Sequence, residues 1–412
     1  MVVYKFGGAA VGSPERIRNT VKIISGYKGK LVVVVSAMAK TTDALEELNL
    51  AYAERNIDEA LNILSCIRDF HCETADKLGL SASIFDDMFQ NTVSFIKENK
   101  IRDFDCCYGQ IVSLGELLAS LLLNECLNSC GTLSRLVDAR KLVMTDSSFR
   151  EAKIYFDQTE KNIRDAFSFS DVSCYVTQGF IGSNSDGATT VLGREGSDYS
   201  AAIIASAMSS ENLTIWKDVP GVLSADPKLF SDAELLPELS YKDAAELSYY
   251  GAQVIHPKTV KPLVAKNIPL FVKSFLDTSL EGTKISANSK IRQNTPVIAS
   301  KKNQILISIL PKDFSFVLDD AIMQTISILH SFNVKIHIIQ SSPLCISLCA
   351  DDGRNTRLAV DELKINGIVL YNNNLELITI RNYTEKLIEK YSENKERLIM
   401  QRDRSTVRML LK

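Results

Sequence analysis

Apolar and polar positions along this chain fall into short apolar runs and stretches of helical rhythm. VVYKF (2–6) is an apolar run that ends on Gly7 and Gly8. Ser13, Pro14 and Glu15 then head a stretch whose apolar positions continue through Val21, Ile23 and Ile24. Ser at an N-cap with Pro at the first helical position is a helix start. LVVVVS (31–36) is a continuous β-branched run, the mark of a strand buried on both faces of a parallel sheet. The predicted order is strand, glycine turn, helix, buried strand.

Residues 44–104 alternate apolar and charged positions at helical spacing, and 110–130 predict another helix that Gly131 terminates. LSRLVDA (133–139) and CYVTQGFIG (174–182) read as strands, with Asp186-Gly187 turning a hairpin into ATTVL. A helix over 199–208 leads to the strand LTIWKDV, and Ser240-x-x-Asp243 is a capping box for a helix that Gly251 ends. PLFVKS (269–274) is the last strand of this half. The polar segment 276–303 sets a boundary near 300. Beyond it a β-α-β-β-α-β order is the ferredoxin-like unit. Residues 384–412 offer one amphipathic helix and two short strands, too little for a second complete copy.

Composition narrows the function classes. The 412 residues correspond to two or three domains at roughly 150 residues each. With 47 Lys+Arg against 50 Asp+Glu, the net charge of -3 gives no electrostatic reason to expect nucleic acid or an anionic membrane as partner. The strongly apolar stretches fall short of the roughly 18 residues a membrane helix needs, and the start lacks a secretory pattern, so the expected location is the cytoplasm. Nine Cys without a CxxC motif are expected to be reduced packing residues. His71, His330 and His337 stand in apolar surroundings and are expected to pack.

Candidate chemistry sits at three glycine-bearing turns. Lys5-Phe6-Gly7-Gly8 joins a strand end to a helix start, where backbone amides approach phosphate; taken alone, a plain tight turn is the commoner reading of the same residues. Gly193-Arg194-Glu195-Gly196-Ser197-Asp198 repeats the arrangement, with Ser197 and Asp198 as caps or as functional groups. Arg194 adds a guanidinium able to grip a carboxylate or phosphate twice. Lys217-Asp218 follows a strand at a position where parallel sheets present ligand loops. Glu116, within SLGELLAS, is a surface residue or a buried carboxylate kept for an ammonium group. His256 is read as structural. The absence of GxxxxGK[ST], GxGxxG and GxSxG removes the sequence support for P-loop ATPases, Rossmann dehydrogenases and serine hydrolases.

Taken in order, KFGG, VVVVSA with Thr42, SLGELLAS, QGFIG, TTVLGREGSDYSAA, WKDVPGVLSADP, YGAQVIHPKT and IPLFVKS resemble the aspartate kinases of the amino-acid kinase superfamily, over essentially the whole chain. The resemblance implies an α/β fold: a three-layer α/β/α sandwich with a mainly parallel sheet over 1–300, then ferredoxin-like ACT units, the first over 301–374 and an abbreviated second over 375–412. It implies transfer of the ATP γ-phosphoryl group, brought with Mg²⁺, to the β-carboxylate of L-aspartate. By the same resemblance Lys5 neutralises the moving phosphoryl oxygens and Asp198 holds Lys5. Ser36, Thr42, Glu116 and Arg194 line the aspartate site. Gly7, Gly8, Lys217, Asp218, Leu223, Lys228 and Lys258 face the nucleotide. No metal-ligating protein residue is expected.

Ala9 and Ala10 depart from the Thr-Ser that usually follows KFGG, Glu195 from the middle glycine of GRGGSD, and Gln253 from a frequent Lys. GREGSD together with WKDVPG resembles the lysine-sensitive type. The implied partners are a lysine or threonine effector and a second copy of the chain in a homodimer or higher oligomer. A catalytically quiet amino-acid sensor and a glutamate kinase are the rival readings.

Overall fold

The computed structural model describes residues 1–98, 103–227, 229–230, 233–250, 255–289, 295–310, 312 and 319–412. The chain divides into two compact units. The first holds Met1–Val222, Leu235–Ser248 and Gln253–Ile291; the second holds Leu223–Glu234, Tyr249–Ala252 and Arg292–Lys412.

In the first unit, β1 (Val2–Phe6) leads through the glycine turn to α1 (Pro14–Gly26) and β2 (Leu31–Val35). The Ser13 side chain caps α1 by accepting from the Arg16 N–H, as the sequence predicts. The helical layer is α2 (Thr41–Ala53), α3 (Ile57–Lys77), α4 (Asp86–Glu98), α5 (Phe104–Val112) and α6 (Leu114–Ser129). Then come β3 (Ser134–Val137), α7 (Phe156–Ala166), β4 (Cys174–Gln178), the hairpin β5 (Ile181–Ser183) and β6 (Thr189–Val191), α8 (Gly196–Ala207) and β7 (Asn212–Lys217). The single strand expected over 174–182 is two, because the chain leaves the main sheet at Gly179 to pair within the hairpin. β8 (Glu238–Ser240), α9 (Tyr241–Tyr250), α10 (Pro257–Lys266), β9 (Leu270–Ser274) and β10 (Thr283–Ser286) complete the unit. Ser240 and Asp243 bond each other's backbone N–H groups at 3.3 and 3.0 Å, the predicted capping box. Gly251, expected to end α9, lies outside the described residues.

Eight strands form one sheet in the order β3-β4-β2-β1-β7-β9-β10-β8, parallel except for the β9–β10 pair. Side chains alternate across a strand, and the alternation here is sorted into two layers. Val2, Phe6, Leu31, Val33 and Val35 join a core shared with α1 and α6, whereas Val3, Val32 and Val34 are equally buried on the opposite face. Lys5 belongs to that second face, which α8 covers. The result is the expected α/β/α sandwich. Residues 104–129 have the length and apolar composition to cross a membrane, yet 78% of their most apolar 18-residue window is buried inside the fold.

The second unit is built on β11 (Val297–Leu310), α11 (Asp319–Ser331), β12 (Ile336–Ser342), β13 (Cys345–Asp351), α12 (Arg354–Asn366), β14 (Ile368–Arg381), α13 (Glu385–Ser392), β15 (Arg397–Arg402) and β16 (Thr406–Leu411). Its six-stranded antiparallel sheet has the order β12-β13-β11-β14-β16-β15. β11 runs through residue 300 and serves two half-sheets. Gln304–Leu310 lie between β13 and the first half of β14, while Val297–Lys301 pair with its second half. Register shifts between Lys301 and Leu306 separate the halves. Ile305, Ile307 and Ile309 pack beneath α11 and α12, and Ile378, Ile380 and Met409 beneath α13. Leu306, Ile338, Leu377 and Leu410 form a third core on the other sheet face. The half-sheet that holds β15 and β16 is therefore completed by Val297–Lys301 of β11, which precedes the other half-sheet's strands in the chain.

Candidate active site

Six consecutive parallel strands, β3, β4, β2, β1, β7 and β9, end along one edge, and their register fixes which loops meet there. Phe6 is level with Val35 on one side and Trp216 on the other, and Val35 is level with Gln178. Gly7, Ser36, Gly179 and Lys217 are thus the next residues of four adjacent strands. The chain moves from β1 to β2 on one side and returns to β7 on the other, so this edge includes the topological switch point where open α/β sheets bind ligands.

Close approach explains the glycines. A Cβ on Gly8 would lie 2.6 Å from the Ala37 carbonyl oxygen, and one on Gly179 would lie 2.5 Å from the Ser197 Cβ. No side chain fits either place, so the loops after β1 and β2 pack directly together and α8 starts against the end of β4. Of the two alanines that replace Thr-Ser, Ala9 is exposed and Ala10 is fully buried.

Lys5 Nζ lies 2.5 Å from Asp198 Oδ1, and both residues are buried, at 8% and 4% exposure. Burial pushes the Asp198 carboxyl pKa up, but the charges of Lys5 and then Lys217 overcome it, and the net shift is downward. Asp198 stands in the first turn of α8, where the helix dipole also favours an anion. Glu116 is buried too. One oxygen accepts the Ala37 N–H at 3.2 Å, and Oε2 has no hydrogen-bond partner among the described residues. Burial raises its pKa to about 7 against the opposing effects of that N–H and the Lys5 charge. A buried acceptor without a partner is costly in isolation and suits a ligand that brings a donor.

Lys5, Asp198, Glu116 and Lys217 are thus electrostatically joined, with Gly7 and Gly8 in the adjoining turn. Ser36 and Thr42 are half-buried beside the ends of β2 and α2. Arg194 is exposed, with no side-chain partner among the described residues. Asp218 and Lys258 are exposed. Leu223 belongs to the second unit; Lys228 and Gln253 lie outside the described residues. Among the described residues no group of three or more His, Cys, Asp and Glu side chains is arranged to hold a metal ion.

Several expectations need correction. Cys66 and Cys130 are exposed and do not pack, although none of the nine cysteines is bridged. His330 is exposed at the end of α11. His337 is buried, but its Nε2 lies 3.0 Å from Asp351 Oδ1; a carboxylate only accepts, so the imidazole donates. Apolar flanks hid that partner. His71 does pack, and burial lowers its pKa to about 4. His256 caps α10, its Nδ1 accepting the Lys258 N–H at 3.2 Å.

Glu195 is the residue sequence reasoning undervalued. It adopts the left-handed conformation at φ 54°, which costs a side-chain-bearing residue about 1–2 kcal/mol, and its Oε2 accepts the His256 N–H at 2.8 Å. Its substitution for a frequent glycine was the available signal.

These features define a class of α/β protein that gathers a buried lysine and two buried carboxylates at one edge of a parallel sheet. The amino acid kinase family model matches residues 1–274. The chain is 35% identical over 316 residues to an aspartokinase of Chlamydia trachomatis serovar D, covering 74% of this chain and 69% of the relative. It is 31% identical over 372 residues to the chloroplastic aspartokinase 3 of Arabidopsis thaliana, covering 85% and 65%. Among solved structures, E. coli aspartokinase III in complex with aspartate and ADP superposes with a TM-score of 0.83 at 26% identity, over 100% of this chain and 96% of that one. The chain belongs to the amino acid kinase family, as a member of its aspartokinase branch. It also matches bifunctional aspartokinase/homoserine dehydrogenases such as that of Zea mays, of which it spans 32% of the length.

Proposed function

We propose that this chain is an aspartate kinase that moves the γ-phosphoryl group of ATP onto the β-carboxylate of L-aspartate, giving 4-phospho-L-aspartate, the first step toward lysine, threonine and methionine. The observation that carries the reading is the buried Lys5 ammonium held 2.5 Å from Asp198 with Glu116 within its field. An ionised β-carboxylate needs no general base, so the protein's task is positioning and charge neutralisation. Lys5, oriented by Asp198, offers its ammonium to the phosphoryl oxygens, and the Gly7 and Gly8 amides to neighbouring ones. The open Glu116 oxygen accepts from the substrate ammonium, and Arg194 grips the α-carboxylate. Lys217, Asp218 and Lys258 border the nucleotide.

Mg²⁺ fits this site as a companion of ATP held chiefly by phosphates, since the described residues offer no ligand cluster. When bound it neutralises phosphate charge. We assign the two half-sheets of the second unit to ACT regulatory units that bind lysine or threonine, in a homodimer or higher oligomer in the cytoplasm. The resemblance to lysine-sensitive members and the solved complex of E. coli aspartokinase III with lysine and aspartate support lysine as the first effector to test.

A coupled ADP-release assay with MgATP and L-aspartate tests the activity, with L-glutamate as control. Turnover with glutamate alone would overturn the substrate assignment, and binding of lysine or threonine without MgATP binding would make the chain a sensor. Titrating lysine and threonine separately tests the regulation.

A further inference from the structure

We propose that Glu195 is a positioning residue for phosphoryl transfer, tying the turn that carries Arg194 and Asp198 to the start of α10. The proposal rests on the aspartate kinase reading above. Glu195 occupies the N-cap position of α8, yet its side chain makes no capping bond to that helix. It reaches instead across 61 positions to the His256 N–H. His256 in turn caps α10 and accepts the Lys258 N–H. Behind the tie, Ser248 Oγ accepts the Ile255 N–H at 3.2 Å and donates to the Ile255 carbonyl, so the anchoring segment is itself held.

The turn is fixed from its other side by packing. Gly193 has φ 73°, and a Cβ on Gly196 would lie 2.8 Å from Phe180 Cδ2. Glycine at position 195 would adopt the left-handed backbone without strain but would carry no acceptor to His256. The chain accepts the strained conformation and gains a link whose two ends lie one residue from Arg194 and two residues from Lys258. Phosphoryl transfer depends on holding acceptor and donor in line, and small displacements lower the rate strongly. The tie therefore acts on turnover more than on binding, because Arg194 itself is untouched.

Glu195→Gly, Glu195→Ala and Glu195→Gln in the full chain test this. Gly and Ala are expected to lower kcat about tenfold with aspartate KM changed less than about threefold, and Gln, which keeps an acceptor oxygen, to stay within about threefold of wild type in both. Hydrogen exchange at the His256 amide should rise about tenfold in Gly and Ala and not in Gln. Glu195→Gly should melt no lower than Glu195→Ala, since it relieves strain. Wild-type kcat in Glu195→Gly, unchanged exchange in that variant, or a Gln variant as impaired as Gly would each overturn the proposal. A wild-type chain that phosphorylates no aspartate would overturn the underlying reading, and the exchange measurement would then still report the tie, which separates the two failures.

Discussion

The edge of the parallel sheet and the outer surface of the antiparallel sheet treat charge in opposite ways. At the first, Lys5, Glu116 and Asp198 are sunk to 8, 3 and 4% exposure at the ends of apolar strands. At the second, Lys364–Asp361 and Arg402–Glu385 pair in water, while Ile368, Leu370 and Tyr371 are half or more exposed. Buried ion pairs are weak sources of stability, because desolvation offsets most of their attraction. The comparison shows where the chain gives up stability to arrange charge, and that place is the sheet edge with the candidate site.

The largest test removes one member of the buried pair. Lys5→Ala or Asp198→Ala should lower kcat by about three orders of magnitude, since charge stabilisation dominates phosphoryl transfer. Asp198→Ala should also cost about 3–5 kcal/mol in urea unfolding, because it leaves Lys5 buried without its partner. The double variant should be more stable than the sum of the singles; strict additivity would mean the pair is not coupled. Arg194→Ala follows, expected to raise aspartate KM about tenfold or more with ATP KM little changed. Equal effects on both substrates would remove Arg194 from the aspartate side.

Packing sharpens the same contrast. Gly179→Ala drives a methyl into Ser197, whereas a Cβ on Gly353, at the head of α12, meets nothing within 4 Å. The first should destabilise by about 1–3 kcal/mol and reduce activity, the second by less than about 1 kcal/mol, read by thermal and urea unfolding.

Glu116 makes the edge sensitive to pH. Its folded pKa is raised to about 7, so the neutral form is favoured in the empty site. The stability this contributes is full below the unfolded carboxyl value and is lost as pH rises through about 7. On the proposed function, aspartate brings an ammonium group and should bind the charged form. Aspartate KM should therefore fall as pH rises from 6 to 8, and Glu116→Gln should flatten that dependence. A wild-type KM independent of pH would detach Glu116 from the substrate ammonium.

Local signals were legible in the sequence wherever one residue type answered one backbone need. Ser13-Pro14, Ser240 with Asp243, and the β-branched run of β2 all stand where they were read. The order of runs showed strands alternating with helices around a buried parallel strand, whereas the α/β/α class and the Lys5–Asp198 pairing came from family resemblance, since 193 positions separate the two residues. What stayed hidden depended on long-range register or on side chain-to-backbone bonds. Nothing local in VIASKKNQILISIL indicates that one strand serves two half-sheets, because the switch lies in its pairing with β14. Glu195 reads as a poor cap until its bond to His256 is seen. Local apolar flanks likewise cannot reveal that Asp351 sits opposite His337 across two strands.

That last pair offers the smallest effect and the cleanest counterpart to the sheet edge. His337 is buried, but the Asp351 side chain is 59% exposed, so water screens the interaction. The His337 hydrogen bond, helped by one from Gln304 and opposed by burial, holds the Asp351 carboxyl well below its ordinary pKa. A depressed carboxyl contributes stability that is present above the unfolded value near 3.9 and lost as pH falls through the folded one. Asp351→Asn should therefore cost less than about 1 kcal/mol at pH 7, with the difference from wild type shrinking below about pH 4, and should leave effector-free kcat unchanged. A loss as large as that of Asp198→Ala would place a second costly charge in the antiparallel sheet and erase the distinction between the two regions.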